Sequence, residues 1–327
     1  MLVYRLKQNY STQKIKNTGK KHPGKMTPYI DLHTHSTCSD GLLSPAGLLA
    51  LAARRGLAAI ALTDHDTVAG LPEALAHGAL TGVEVITGIE ISSTLDGVSL
   101  HILGYGLDHG HPDFLAFLER LQQARHDRNQ GILERLQTLG ISITGEELTR
   151  IAGDQIGRPH FARLLTQKGR AKNTQDAFSR YLKRGCPAFV EHAKPQADEV
   201  ISQITGANGL AVFAHPVYSD PTLARIPALV AQLKSYGLAG LEAIYPTHSK
   251  KACRFLHALA TQHGLLLSGG TDYHGDKRSI TPLGGNAKTI RVPLQILGEI
   301  KQRLAANAAC PDIRTPSCDN GPTRNRG

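Results

Sequence analysis

Ile30-Asp31-Leu32-His33-Thr34-His35-Ser36-Thr37-Cys38-Ser39-Asp40-Gly41 is an apolar run that ends in metal-ligand chemistry. Alternate residues of an extended strand point to one side, so His33 and His35 can turn two imidazoles toward one cation. A turn through Ser39-Asp40-Gly41 then returns a carboxylate to them. An isolated H-x-H is commonly a pair of ordinary histidines. Here four more clusters of ligand-type residues follow, each where an apolar run stops.

Working outward, Ser44 as N-cap, Pro45 at the first helical position and Gly56 as the stop predict a helix over 45–55. Leu57 to Leu62 is a continuous apolar run of strand length that ends in Thr63-Asp64-His65-Asp66. Val83 to Ile91 reads as a strand carrying Glu90, and Asp96-Gly97 as the turn into a strand, Val98 to Leu103, with His101 at its middle. Glu90 and His101 are therefore expected on neighbouring strands. Leu210 to Ala214 ends in His215-Pro216, Gly240 to Ile244 carries Glu242, and Leu265 to Gly269 runs into Gly270-Thr271-Asp272-Tyr273-His274. Leu294 to Ala305 is expected as the last helix. Strands followed by helices, with polar residues where each strand ends, are the pattern of a parallel α/β barrel with its site at the C-terminal rim.

Between Pro112 and about Pro195 the alternation stops. The stretch reads as helices over 114–140, 144–151, 158–169 and 175–183, an inserted helical subdomain. Eight basic residues fall between Arg158 and Arg184 against Asp176 alone. In Gly157-Arg158-Pro159-His160, proline positions Arg158 at a helix N-terminus, where a guanidinium suits a phosphate. The organisation expected is a basic extension over 1–26, a barrel over 27–111 and 196–305, a helical insertion over 112–195 and a disordered tail over 306–327.

The formal net charge of +10 says little about partners, because the first 26 residues hold seven basic residues and no acid. That extension lacks the apolar core of a secretory signal, and Met26 stands just before the first strand. We read it as a disordered arm or as sequence upstream of the true start. Five scattered cysteines without C-x-x-C spacing fit reduced thiols in a cytoplasmic protein. No run has the roughly 20 apolar residues that span a bilayer, and neither a glycine-rich nucleotide loop nor a protein-partner motif is evident. Sixteen histidines are the compositional departure. The candidate ligands His33, His35, Asp40, His65, Glu90, His101, His215, Asp272 and His274 include no thiolate. Nine nitrogen and oxygen donors exceed one tetrahedral ion, which implies two or three divalent ions, with Mn2+ expected and Fe2+ or Zn2+ as alternatives. Adjacent ions lower the pKa of a water and hold phosphoryl oxygens, the chemistry of phosphate-ester hydrolysis.

H-T-H-S-x-x-S-D-G, T-D-H-D, G-I-E-I-S, H-I-L-G-Y, A-H-P and T-D-x-H, in this order from Tyr29 to about Ala305, resemble the motifs of the PHP (polymerase and histidinol phosphatase) family of metal-dependent phosphoesterases. The resemblance implies a distorted (β/α)7 barrel with up to three divalent metals. It assigns His33, His35, Glu90 and Asp272 to one ion, Glu90, His101 and His215 to a second, and Asp40, His65 and His274 to a third. G-R-P-H and Y-L-x-R-G-x-P-A-F-V in the insertion resemble the bacterial branch that removes the 3′-phosphate of nucleoside 3′,5′-bisphosphates. Members of that branch also act as the 5′-to-3′ exoribonuclease RNase AM. The expected substrates are therefore a nucleoside 3′,5′-bisphosphate, a short RNA or an RNA 5′ end. Asp40, Arg158, His160 and His274 are the expected substrate contacts, and Asp40, His65 and His274 the candidates to protonate the leaving oxygen. Asp64, Asp66 and Glu242 are expected to orient ligands. A histidinol-phosphate-type phosphatase would have no use for so large a basic insertion. An amidohydrolase would call for a lysine at a mid-barrel strand end, which is missing. A non-catalytic nucleic-acid-binding PHP module would show eroded ligand positions, and all nine are intact.

Overall fold

Six consecutive buried residues, Tyr29–Thr34, form the first strand, β1; burial without alternation is the mark of a strand covered on both faces. This computed structural model describes residues 28–152, 156–191, 193–276, 279–286 and 288–309; the basic extension, His192 and residues 310–327 of the expected tail lie outside them. The Ser44 side chain accepts a hydrogen bond from the Gly47 N–H at 3.1 Å and opens helix α1 (Pro45–Arg55), which Gly56 ends in the left-handed conformation at φ 72°. Strand β2 (Leu57–Leu62), helix α2 (Leu71–Thr81) and strand β3 (Glu84–Leu95) follow, with β1, β2 and β3 paired in parallel.

The parallel order then breaks. Asp96 and Gly97 both take positive φ, 48° and 73°, so β4 (Val98–Tyr105) folds straight back along β3 with Ser92 opposite His101. The barrel expected to be parallel thus carries a reversed strand, because a two-residue turn cannot make the long crossover that parallel neighbours need. The chain continues through α3 (Pro112–Thr138), α4 (Gly145–Ala152), α5 (Arg158–Gln167) and α6 (Thr174–Ala177), the last running into a π-helical turn, Phe178–Leu182. Early in α3, Phe114, Phe117 and Leu118 bury into the barrel core; later, Ile132 and Leu136 join a separate core with Phe161, Leu165 and Leu182. Helix α3 therefore ties the insertion to the barrel.

Helix α7 (Ala197–Gly206), which the sequence reading missed, buries Val200, Ile201 and Ile204 in the barrel core. After it come β5 (Leu210–Phe213), α8 (Pro216–Ser219), α9 (Ile226–Ser235), β6 (Gly240–Ile244), α10 (Lys250–Gln262), β7 (Leu266–Gly269), β8 (Val292–Pro293) and α11 (Leu294–Ala309). The last helix passes the end expected at Ala305, carried on by the strong helix formers Ala306, Ala308 and Ala309. The eight strands stand in the order β7-β6-β5-β4-β3-β2-β1-β8, with β4 antiparallel to both neighbours and the two-residue β8 antiparallel to β1. The sheet nearly closes, because the His35 N–H donates to the Tyr273 carbonyl at 2.9 Å, just beyond the end of β7. This approach is open only to glycine at position 270, where a Cβ would collide with His33. Among the described residues no helix is long and apolar enough to cross a membrane.

Candidate active site

Glu90, on β3 and almost fully buried, is the hub of the C-terminal rim. Its Oε2 lies 3.1 Å from His33 Nε2, 3.2 Å from His35 Nε2 and 3.2 Å from His65 Nδ1; its Oε1 lies 2.6 Å from His101 Nδ1 and 2.9 Å from His215 Nε2. Five imidazoles from β1, β2, β4 and β5 thus meet on one carboxylate. Asp272, beyond β7, brings Oδ1 within 3.0 Å of His35 Nε2 and 3.4 Å of His33 Nε2. His274 Nε2 stands 2.9 Å from Asp40 Oδ1. The backbone is forced to present some of these groups: His215 and Asp272 take positive φ, 26° and 52°, conformations that cost energy outside glycine and cluster at functional sites.

Other side chains set the orientation. The His33 Nδ1–H donates to Glu242 at 3.1 Å, and Glu242 also accepts the His215 backbone N–H at 2.7 Å. His274 Nδ1–H donates to the Asp272 carbonyl at 2.9 Å, which fixes the tautomer and leaves Nε2 facing Asp40. Asp64 accepts from the Ser36 backbone N–H at 2.7 Å and from the Ser36 and Ser39 hydroxyls at 2.6 Å each, holding the turn that delivers Asp40. Asp66 instead pairs with Arg125 of the insertion.

Three groups of donors have their atoms within 4.8 Å of one another: His33, His35, Glu90 and Asp272; His35, Asp40, His65 and His274; and His65, Glu90 and His101. The first coincides with the set expected for one ion. In the second, His35 joins the three residues expected for another; in the third, His65 stands where His215 was expected, although His215 touches the same Glu90 oxygen as His101. These residues fit divalent cations on two counts. The donors are all nitrogen and oxygen, and several buried atoms come close without hydrogen-bond geometry, His35 Nε2 to Asp272 Oδ1 at 3.0 Å and His65 Nδ1 to Glu90 Oε2 at 3.2 Å, as ligands sharing a central cation do. Electrostatics carries the same imprint. Burial disfavours the imidazolium of His35, yet Asp272 and Glu90 outweigh it and lift the pKa to about 10. Burial also dominates at His65, which falls to about 4 as His35 and His101 repel its proton. Desolvation likewise opposes ionisation of Glu90 and Asp272, but the surrounding imidazoles, His33 first, hold both carboxyls well below their ordinary range.

A cavity opens on Asp40, His65 and His101, and its opposite wall is the insertion: Arg125, Arg128, Arg158 and Phe178, with Lys194 beside them. Arg125 is paired with Asp66, whose charge also reaches Arg128 and Lys194, whereas the direct hydrogen bonds of the other three cations go to neutral groups among the described residues. Arg128, nearly buried, donates to Asn129 Oδ1 at 2.7 Å; Arg158 donates to the Val190 carbonyl at 2.7 Å and lies over the Phe189 ring at 5.0 Å; Lys194 donates to the Ser99 hydroxyl at 2.6 Å. Burial, then the neighbouring Arg125 and Arg158, lowers Arg128 to about 9. Of the expected substrate contacts, Asp40 and Arg158 line this cavity; His274 stands behind Asp40 and His160 lies elsewhere, and neither lines it. His160 Nδ1 accepts the Gly157 N–H at 2.9 Å, because glycine at the N-cap of α5 has no side chain to close that end, and the ring lines a separate cavity beside Leu42. Sequence reasoning missed Arg125, Arg128, Lys194 and Phe178. The first two stand one turn apart on α3, a spacing that shares a helix face, and this was their one available signal.

A model of the PHP domain matches residues 31–185. A 5′-3′ exoribonuclease of Haemophilus influenzae is 36% identical over 249 residues, which cover 76% of this chain and 91% of that protein. The chain belongs to the PHP-domain family. A 3′,5′-nucleoside bisphosphate phosphatase of Chromobacterium violaceum is 35% identical over 247 residues, covering 75% of this chain and 87% of its own. Among solved structures, an amidohydrolase from the same organism, with bound sulfate and no metal, superposes with a TM-score of 0.75 at 32% identity, over 85% of this chain and 96% of that one. The PHP rim and the insertion that faces it are therefore parts of one enzyme, a phosphoesterase with buried histidine and carboxylate clusters.

Proposed function

We propose that this PHP phosphoesterase hydrolyses the 3′-phosphate of nucleoside 3′,5′-bisphosphates and removes nucleotides from the 5′ end of RNA, using one pocket for both. The observation that carries the reading is the wall of Arg128, Arg158 and Lys194, three cations that make no direct ion pair among the described residues, across a cavity from Asp40, His65 and His101. A buried cation without a counter-ion is costly, and a phosphate supplies both the charge and the acceptors. Arg128 and Arg158 bind the 5′-phosphate, which places the 3′-phosphate at the rim donors. The 5′-terminal nucleotide of a 5′-phosphorylated RNA is the same bisphosphate with its 3′-phosphate esterified, so both substrates present identical chemistry to this pocket.

Divalent ions held by His33, His35, Glu90 and Asp272, by Asp40, His65 and His274, and by His101 with His215, Mn2+ in our reading, supply Lewis acidity and an acidified water when bound. The chain's own residues do the rest. Glu242 and the Asp272 carbonyl hold His33 and His274 in the tautomers that leave Nε2 free. Water oxygen adds to phosphorus, the P–O3′ bond breaks, and O3′ leaves with the electron pair and takes up a proton. Phosphorus departs as inorganic phosphate, or as the new 5′-phosphate of the shortened RNA. Asp40 and His65, which line the cavity, and His274, which stands 2.9 Å from Asp40, are our candidates to move that proton.

The test is product analysis with manganese-loaded protein. Adenosine 3′,5′-bisphosphate should yield 5′-AMP and phosphate, and a short 5′-phosphorylated RNA should yield 5′-mononucleotides in succession. Turnover of neither substrate would overturn the reading.

A further inference from the structure

Tyr218 is the most exposed phenylalanine or tyrosine among the described residues, with 55% of its surface open to solvent, although it stands beside the buried donors. It belongs to α8, the single turn that follows His215. One side of its ring packs against His215 at 5.1 Å between centroids and meets Tyr245 edge-on at 5.5 Å. Its hydroxyl lies 3.4 Å from that of Tyr245, which in turn donates to Asp272 at 2.8 Å. The ring is thus held by two aromatic neighbours and a hydroxyl contact while more than half of the residue stays open to solvent, which suits a stacking platform better than a core residue.

Its place in the row of donors gives it a partner. Ring centroids step from His65 to His101 at 5.5 Å, from His101 to His215 at 5.2 Å, and then to Tyr218. The arginine-lined cavity touches His65 and His101 but none of His215, Tyr218, Tyr245 or Asp272. Tyr218 therefore stands outside the arginine-lined cavity, beside a donor, His215, that the cavity does not reach. With a 5′-phosphate on the arginines and the next phosphate at the donors, one phosphoryl oxygen must turn away from the pocket to carry the remaining strand, past His215.

We propose that Tyr218 stacks on the base of the nucleotide 3′ to the cleaved phosphate, which makes single-stranded oligoribonucleotides a substrate class that this site is shaped to hold. This rests on the reading given under Proposed function and adds to it a second nucleotide position. Every base has a π face, so such a platform favours a strand without reading its sequence.

The test compares wild type, Tyr218→Ala and Tyr218→Phe on a 5′-phosphorylated diadenosine and on adenosine 3′,5′-bisphosphate. The alanine variant should raise KM for the dinucleotide about 5- to 150-fold, the range that loss of one stacked base produces, and leave the bisphosphate unchanged. The phenylalanine variant should behave as wild type on both. An alanine variant that handles the dinucleotide normally, or that loses both substrates alike through His215 and Tyr245, overturns the inference, as does a phenylalanine variant that fails like alanine. Wild-type protein that hydrolyses the bisphosphate but no dinucleotide sinks this inference alone; protein that hydrolyses neither sinks the reading beneath it.

Discussion

The two walls of the active-site cavity are both built from ionisable residues, yet one balances its charge internally and the other leaves it open. On the barrel rim, Glu90 and Asp272 are surrounded by imidazoles at 2.6–3.4 Å; against the opposing effect of burial, the two carboxylates raise the pKa values of His33 and His35, and Glu90 that of His215. On the insertion, Arg128, Arg158 and Lys194 meet carbonyl, amide and hydroxyl oxygens, and burial first, then neighbouring guanidinium groups with Arg125 acting on all three, lowers their pKa values. The rim is a set of ligands that stabilises itself until cations replace its protons. The insertion is a binding surface whose missing partner is an anion.

This contrast is broken most severely at the hub. Glu90→Gln or Asp272→Asn should lower turnover of every phosphoester, aryl phosphates included, by well over about 100-fold, more than loss of a residue that only orients a ligand. A variant with wild-type kcat would show that the rim is not the reaction centre. Arg128→Met should reduce kcat/KM for adenosine 3′,5′-bisphosphate about 10- to 150-fold, the worth of a charged hydrogen bond, and leave p-nitrophenyl phosphate within about twofold. Equal losses on both would return Arg128 to a structural role. Glu242→Gln should weaken metal binding about 10- to 100-fold, measured by titration of the ion, because His33 loses the carboxylate that orients it.

The walls should also differ in the sign of their effect on stability. Without metal, Glu90→Gln should lower the melting temperature, as His33, His35 and His215 lose a counter-charge. Arg128→Met should raise it by about 2–4 °C, since removing a buried cation that makes no direct ion pair among the described residues relieves a cost of about 1 kcal/mol. Two shifts of the same sign would contradict the contrast. The smallest effect belongs to His160→Ala, which should cost about 1 kcal/mol in denaturant unfolding through loss of the cap on α5, with kcat nearly unchanged.

How far each wall could be read in the sequence follows from how it is made. Rim residues sit where apolar strands stop, so T-D-H-D after Leu57–Leu62 and T-D-x-H after β7 announce both position and chemistry. The same logic placed Glu90 and His101 on adjacent strands, with Asp96-Gly97 as the turn between them. The groupings were less legible: that His35 lies near two sets of donors, and His65 near Glu90, depends on how tightly the rim curls. On the insertion, the dense basic run from Arg158 to Arg184 drew the eye, yet only Arg158 of those eight residues faces the cavity. Lys168 pairs with Glu147, Arg180 with Asp176 and Arg184 with Glu191. The other cations that face it, Arg125, Arg128 and Lys194, come from a long amphipathic helix and an irregular segment before α7, where charge alone marks no direction.

The central claim is that one wall performs hydrolysis while the other reads a second phosphate. It is tested most directly by the kcat/KM of manganese-loaded protein for adenosine 3′,5′-bisphosphate against adenosine 3′-phosphate, in wild type and in Arg128→Met. The account predicts a preference of about tenfold or more for the bisphosphate, abolished by the substitution. Equal rates on the two nucleotides in the wild type would contradict it.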